Sequence, residues 1–289
     1  MRALFQRILC KSKGEKITII PIGDTHLGAK NVDKEKLKGL IKYVKDTPGV
    51  YWVGMGDYID AINYSDKRFN AASTEDIADL DDLVNTQVGK FVAMFNPIAN
   101  RCLGLLDGNH EETVRKRYHQ DTVAQICRKM HVQRLTYSCL MRIYFDHNRR
   151  SCRGSRSIVL YAHHGHGASR TIGGRLNNVL NKSRGIDADV FIMGHCHLKA
   201  NVDGERLYIS QNRGGEAFVY SRKQLFATTG SFMYAMGEGY NTYSEIAGYD
   251  PIPTGFIKIH IEPYKQVVVD KSDGKRHCRD LYPHIHMSV

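Results

Sequence analysis

The 289-residue chain has no apolar run near the ~18 residues that a membrane helix needs, which excludes a helical membrane-spanning protein. It has no CxxC pair, and its seven cysteines, at positions 10, 102, 127, 139, 152, 196 and 278, are odd in number. A disulfide framework and a thiolate zinc site are thereby excluded, and a reducing, cytoplasmic setting is expected. There is one Trp, no Pro- or Ser-rich linker, no repeat and no low-complexity run, so a single domain over 1–289 is expected. The basic stretch 1–16 has its apolar residues interrupted by Gln6 and Arg7 and does not read as a signal peptide. Cys10, with Leu9 before it and Arg7 three back, makes a poor lipidation site.

Hydrophobic residues make up 42% and charged residues 25%, and apolar positions recur along the whole chain. That argues against disorder and for a sizeable core. Lys and Arg total 41 against 30 Asp and Glu, a net charge of +11. Such a surface favours polyanions, whether nucleic acid, phosphorylated substrates or anionic membranes, or serves solubility alone.

The chain opens with βα alternation. Residues 16–22 predict an Ile-rich strand. Asp33 is placed to cap a helix in which Leu37, Leu40, Ile41 and Val44 follow helical spacing, ended by Pro48-Gly49. Residues 50–55 predict a second strand. Ser73 and Asp76 resemble a capping box before a helix marked by Ile77, Leu80, Leu83, Val84, Phe91 and Phe95. Residues 102–106 predict a third strand and 111–130 a third helix. Strands follow at 135–145, 157–162, 189–193, 205–210, 218–229 and 256–261, with little helical signal beyond 201. Helices early and strands late predict a mixed α/β sandwich, sheet on sheet with helices outside.

The expected strands end in polar clusters: Gly23-Asp24-Thr25-His26, Gly56-Asp57-Tyr58-Ile59-Asp60, Gly108-Asn109-His110-Glu111, His163-His164-Gly165-His166 and Gly194-His195-Cys196-His197. Ligand-binding residues collect at the carboxyl ends of strands in α/β sheets. Residues two apart in an extended segment face the same way, so Asp24 and His26 are expected to hold one ion, and His195 and His197 to point together with Cys196 turned away. Pooled carboxylate, amide and imidazole donors suit Mn, Fe, Ni, Co or Zn. Alone, each cluster is compatible with a turn or a satisfied polar network. Five clusters in one order, each at a strand end, are hard to place by coincidence.

The ordered set Asp24-x-His26, Gly56-Asp57, Gly108-Asn109-His110-Glu111, His164-Gly165 and Gly194-His195-x-His197 resembles the calcineurin-like metallophosphoesterases. The resemblance runs from Gly23 to His197, and no ligand it implies is missing. Beyond 200 no family motif can be placed, although 229–231 and 243–249 are similar to phage- and prophage-type members. The resemblance implies an αββα sandwich of two mixed β-sheets flanked by helices, with 200–289 completing the sandwich or forming a cap. It implies two divalent metal ions, one held by Asp24, His26 and His197, the other by Asn109, His164 and His195, with Asp57 bridging. A metal-bridging hydroxide would then attack phosphorus in line, and two-metal sites of this type hold their ions ~3.5–4 Å apart. His110 would be a catalytic residue that stabilises or protonates the leaving oxygen rather than a ligand. Glu111 or Asp60 would orient ligand histidines. His directly before Gly selects His164 as the ligand, with His163 as the alternative.

These features point to a phosphoester substrate and a phosphodiesterase. The alternatives are a nuclease acting on DNA or RNA, a phosphomonoesterase and, behind both, a non-catalytic binding module. Arg142, Arg149, Arg150, Arg153 and Arg156 around a hairpin, and Arg115-Lys116-Arg117 after His110, are candidates for nucleic-acid phosphates or ordinary solvated faces. His166, Arg170 and Arg175 are candidate substrate contacts in or beside a Gly-rich stretch. Tyr234, Tyr240, Tyr243 and Tyr249 read as an aromatic wall or, more simply, as sheet residues.

Overall fold

A computed structural model describes residues 1–289 apart from 63–65, 67, 76–80, 148–155, 168, 170, 212–213, 266–267, 271–275 and 279–281; for 243, 268–270 and 276–278 it describes the backbone only. In chain order the elements are strands β1 (Arg2–Leu9) and β2 (Ile17–Ile22), helix α1 (Lys34–Asp46), β3 (Val50–Gly54), α2 (Leu83–Phe95), β4 (Cys102–Leu106), α3 (Asn109–Tyr118), α4 (Thr122–Met130), β5 (Arg134–Thr136), β6 (Ser138–Asp146), β7 (Arg156–His163), α5 (Ile172–Leu180), β8 (Val190–Met193), β9 (Lys199–Gln211), β10 (Ala217–Thr229), α6 (Tyr243–Ile246), β11 (Lys258–Glu262), β12 (Val268–Asp270), β13 (Arg276–Cys278) and β14 (His284–Ser288).

Two six-stranded sheets carry the fold, in the orders β1-β6-β7-β8-β10-β9 and β14-β11-β2-β3-β4-β5, with β12-β13 as a separate pair. Both large sheets are mixed. In the second, β2, β3, β4 and β5 run parallel, while β11 is antiparallel to both β2 and β14. Alternation along each strand sorts the side chains into layers. On β2, Ile17 and Ile19 face the other sheet and meet the inward residues Cys139, Met141, Ile143 and Phe145 of β6. Ile20 and Ile22 face outward under α1, α2 and α4, with Trp52, Leu37, Phe91 and Ile126. The first sheet's outer face is covered by α5, where Val179 packs on Tyr161, Phe191 and Phe226. The result is the expected αββα sandwich. Each such side chain taken fully from water contributes about 1.5–3 kcal/mol, so the layers that hold the strand ends are stiff.

Local chemistry accounts for the elements and for the departures from expectation. Asp33 caps α1 as predicted, accepting the Lys36 N–H at 3.0 Å, and the buried stripe is Leu37, Leu40, Ile41 and Val44. The second helix starts later than expected, at Leu83; Ser73 closes a short 3-10 turn, and Asp76, Ile77 and Leu80 lie outside the described residues. The helix expected over 111–130 is two. His119 adopts φ +55° and ends α3, and Asp121 caps α4 by accepting the Ala124 N–H at 2.9 Å. The strand expected over 135–145 is likewise two: Thr136 at φ +59° sends β5 and β6 to different sheets. The N-terminal strand β1 was not anticipated. It pairs parallel with β6 from Arg2↔Cys139 to Leu9↔Asp146, and as an edge strand it buries fully only Ile8, so its alternation is weak. Among the described residues no helix is long and apolar enough to cross a membrane.

Candidate metal centre

The five clusters follow β2, β3, β4, β7 and β8, so all lie at strand carboxyl ends. The first two loops are joined through their backbones. The Asp24 N–H donates to the Gly56 carbonyl at 3.0 Å, and the N–H groups of Thr25 and His26 donate to the Asp57 carbonyl at 2.9 and 3.1 Å. Glu111 reaches across from the first turn of α3. Its carboxylate accepts the N–H groups of Asp57, Tyr58 and Ile59 at 3.1, 2.7 and 3.3 Å. Close approach there requires glycine: a Cβ at Gly108 would lie 2.1 Å from the Asp57 nitrogen and 2.3 Å from its Oδ1.

The backbone is unusual at these positions. Asp24, His26, Asp57, His195 and His197 all have left-handed φ, between +42° and +67°, a conformation that costs a non-glycine residue about 1–3 kcal/mol. Their side chains therefore converge by turning back over the sheet edge and not by the alternation of an extended segment. Asp24, His26 and His197 offer ligand atoms within 4.8 Å of one another, and Asp57, His164 and His195 form a second such group. His195 and His197 thus belong to different groups.

In the first group His197 Nε2 lies 3.4 Å from Asp24 Oδ1 and 3.3 Å from His26 Nε2. The other Asp24 oxygen accepts the His195 N–H at 3.0 Å. In the second, His164 Nε2 is 3.4 Å from Asp57 Oδ2 and 2.9 Å from Asn109 Oδ1, and its Nδ1 donates to the Met55 carbonyl at 2.7 Å. That last bond fixes the ring and aims Nε2 inward, as second-shell bonds to metal-binding histidines do. His163 does not reach either group. Its Nδ1 accepts the Gly165 N–H at 2.8 Å, and its ring lies beside Tyr137 and His166.

The donor set fits divalent metal ions. Two imidazole nitrogens facing each other need a shared proton or a cation between them. Asp24 Oδ1 and His26 Nδ1 are buried with no hydrogen-bond partner, and a buried carboxylate oxygen without a donor is costly unless it meets positive charge. Electrostatics among the protein groups agrees. Burial, followed by the neighbouring His110, holds His26 well below the ordinary histidine range. Burial opposes ionisation of Asp57, but the charges of His164 and His110 outweigh it and hold the carboxyl well below its usual range. Burial would lower His164 too; the Asp57 carboxylate overcomes it and raises this histidine to about 9. Glu111 is pushed up to about 7 by burial and then by Asp57, and Asp60 to about 6 by burial. Compensating positive charge is what the cluster calls for.

A cavity of about 750 Å³ opens over both groups. His110 lies on its wall, edge-on to His26 with ring centroids 4.6 Å apart. Its backbone N–H donates to Asp57 Oδ1 at 3.0 Å, and its Nδ1 donates to the Asp60 carbonyl. Asp60 therefore orients His110 through its backbone, and Glu111 braces the Asp57 loop instead of a histidine.

Sequence reasoning missed Arg68. Its Nη1 lies 3.3 Å from His110 Nε2, and Asp66 holds the guanidinium with two contacts to Oδ1 and Oδ2 at 3.1 and 3.0 Å. It sits in irregular chain between β3 and α2, where no periodicity singles it out. The segment 231–253 supplies a wall of the cavity with Met233, Ile246, Tyr249 and Ile252, of which the sequence had offered only Tyr249 as a candidate.

Of the candidate substrate contacts, Arg175 lines the cavity, but its Nε donates to the Ser169 carbonyl at 2.9 Å. His166 does not line it; the residue is exposed, with its ring 3.3 Å from Lys182 Nζ. Arg170 lies outside the described residues. Cys196, expected to turn away, lines the cavity. Of the tyrosines, Tyr249 lines it; Tyr234 and Tyr240 do not, and the side chain of Tyr243 is not described. Arg115 and Lys116 pair with Glu112, and Arg117 lies 3.8 Å from Asp66. Arg142 is exposed on β6 and Arg156 lies over the Tyr264 ring, whereas Arg149, Arg150 and Arg153 lie outside the described residues.

No protein-family model matches the chain, and no curated protein matches it. Among solved structures, the chain is similar to Chaetomium thermophilum Vps29, with 9% identity and a TM-score of 0.33 over 94% of this chain and 96% of that one. It is also similar to Haemophilus influenzae NAD nucleotidase (NadN), with 12% identity and a TM-score of 0.37 over 94% of this chain. It spans 50% of the nucleotidase's length. The reading of the site rests on its own geometry. The two mixed sheets with helices on both outer faces make the αββα sandwich that the sequence resemblance implied.

Proposed function

We propose that the chain is a dinuclear metal-dependent phosphodiesterase. The observation that supports the reading is two His/carboxylate groups, one of them containing Asp57, whose members His26, Asp57, His195 and His197 line one cavity together with His110. Asp24, His26 and His197 would hold one ion and Asn109, His164 and His195 the other. Asp57 would bridge, since its carboxylate belongs to the second group and its carbonyl binds the loop of the first. Two divalent cations, when bound, would supply Lewis acidity and an activated water for in-line displacement at phosphorus.

The chain's own residues supply the rest. Glu111 fixes the Asp57 loop, and Met55 and Asp60 fix the rings of His164 and His110 through their carbonyls. With Nδ1 donating to Asp60, His110 presents Nε2 to the cavity beside the Arg68 guanidinium. His110 Nε2 accepts from Arg68 Nη1 in the structure; once protonated and facing substrate instead, His110 would hand its Nε2 proton to the departing oxygen, and Arg68 would share the charge on that oxygen.

Charge favours a diester over a monoester. The charge of Arg68 is offset by Asp66 although its Nη1 still faces His110, and Asp60 and Asp250 add negative charge, which leaves Arg175 as the one described arginine of the lining with no carboxylate partner. That environment suits one phosphoryl charge better than two. The engaged Arg115 and Lys116 give a nucleic-acid track little support. A cytoplasmic setting is part of the proposal, and the described thiols at 10, 102, 127, 139 and 196 are all free.

The test is hydrolysis of bis(p-nitrophenyl) phosphate against p-nitrophenyl phosphate, with Mn²⁺ and with chelator. Faster turnover of the diester, abolished by chelation, is expected. A preference for the monoester would move the reading to phosphatase, and metal-independent turnover would contradict it. Steep loss of DNA or RNA binding as salt rises would favour the nuclease.

A further inference from the structure

A second cluster of metal-ligating side chains lies outside the cavity, on the ribbon formed by β11 and β14. The two sequences read His260-Ile261-Glu262 and His284-Ile285-His286. The strands are antiparallel, with Glu262 opposite His284 and His260 opposite His286. Side chains alternate faces along a strand, so the isoleucines go one way and the polar residues the other. Ile261 and Ile285 are buried in the core between the sheets, and the four polar side chains share the outer face.

We propose that Glu262, His284 and His286 form a third divalent-metal site, separate from the cavity and selective for a borderline ion such as Zn²⁺ or Co²⁺. Their ligand atoms lie within 4.8 Å of one another, and none of the three lines the cavity. His284 Nδ1 is buried, 3.5 Å from Glu262 Oε1, and has no hydrogen-bond partner. It is a nitrogen withdrawn from water with a carboxylate beside it. Lys265 Nζ occupies Glu262 Oε1 at 3.0 Å and leaves Oε2 for an ion.

His260 completes the arrangement without being a ligand. Its Nδ1 lies 3.3 Å from Thr18 Oγ1 and its Nε2 lies 2.9 Å from Ser288 Oγ, so both nitrogens are engaged. Its ring stacks on His286 at 4.7 Å between centroids, which sets the orientation of that ring. Two imidazoles from alternate positions of one strand and a carboxylate from its neighbour give three protein ligands with the fourth tetrahedral position left to water, a donor set that suits zinc. An ion there would tie the C-terminal strand β14 to β11, because its ligands come from both.

The test uses the full chain, stripped with chelator, equilibrated with Zn²⁺, desalted and analysed for metal, with Co²⁺ as the spectroscopic probe. The double variant His284→Ala/His286→Ala should retain about one ion per chain fewer than the wild type and lose tetrahedral Co²⁺ absorption, with diester hydrolysis unchanged. Glu262→Gln, which keeps size and shape, should weaken the same ion and guards against a folding artefact in the double variant. In an Asp57→Ala chain, Zn²⁺ should still raise the melting temperature, and adding His284→Ala should remove that rise. Equal metal content in the wild type and the double variant would overturn the site, as would loss of hydrolysis together with the ion. Since Asp57→Ala acts on the cavity and His284→Ala on the ribbon, failure of one site is read separately from failure of the other.

Discussion

The molecule gathers histidines and carboxylates in two places, and builds them differently. In the cavity, five of the proposed ligand-bearing residues have left-handed backbone and nearly every neighbouring carbonyl or N–H is committed to holding them. On the β11–β14 ribbon, the side chains of Glu262, His284 and His286 meet on regular strands with paired backbone. The first arrangement stores strain in the native state, and the packed layers beneath must sustain it; the second costs the backbone almost nothing. Strain concentrated at one cluster and absent from the other fits the chemistry proposed for the cavity. The ribbon has the form of a fastening.

Substitutions can break or sharpen this contrast. The largest effect is expected for Asp57→Ala, which removes the carboxylate proposed to bridge the two ions. Metal content of the cavity and diester hydrolysis should both collapse, the latter by about 10³-fold or more, corresponding to several kcal/mol of lost stabilisation. Retention of both ions in metal analysis would separate Asp57 from the centre. Next comes His110→Ala, which should keep the metal and lower kcat by about 10²- to 10⁴-fold; unchanged turnover would remove His110 from the mechanism. Glu111→Gln replaces a carboxylate acceptor of three backbone N–H groups. It should cost about 10–100-fold in metal affinity or activity, measured by competition with a chelator. A comparable loss of diester hydrolysis from Glu262→Gln would erase the contrast between the two clusters.

The smallest effect concerns Arg68. Its hydrogen bond, with the surrounding charge, holds the Asp66 carboxyl down at about 2. A depressed carboxyl stabilises the fold above its unfolded value, near pH 4, and that contribution is lost as pH falls toward 2. Arg68→Gln should therefore shrink the acid limb of the stability curve by less than about 1 kcal/mol, since the pair is partly solvated. The same variant should lower kcat while leaving metal content intact. Acid titration followed by circular dichroism checks the first part, and steady-state kinetics the second.

What the sequence made legible follows the same division. The cavity side chains were readable because each cluster contains a glycine where a buried strand stops, and buried strands announce themselves by runs such as Ile17–Ile22. Their grouping was not readable from spacing: alternation put His195 with His197, whereas left-handed turns assign them to different groups. The resemblance to a known family supplied the sets that local spacing could not. Arg68 and, apart from Tyr249, the 231–253 wall escaped because irregular segments carry no period; their placement depends on tertiary contacts such as the Asn31 side chain donating to the Tyr234 carbonyl at 2.6 Å. The breaks at His119 and Thr136 escaped because neither residue is a glycine, and non-glycine residues seldom take positive φ. The αββα layering was legible in outline, since helices early and strands late leave few other ways to cover two sheets. Strand β1 was lost because an edge strand needs only one buried face.

The central claim is that two ions sit on either side of Asp57. Crystals grown with Mn²⁺ and measured for anomalous scattering test it most directly. The account predicts two peaks ~3.5–4 Å apart, one among Asp24, His26 and His197, the other among Asn109, His164 and His195, with the Asp57 carboxylate between them. A single peak, or ions held by other residues of the cavity, would contradict it.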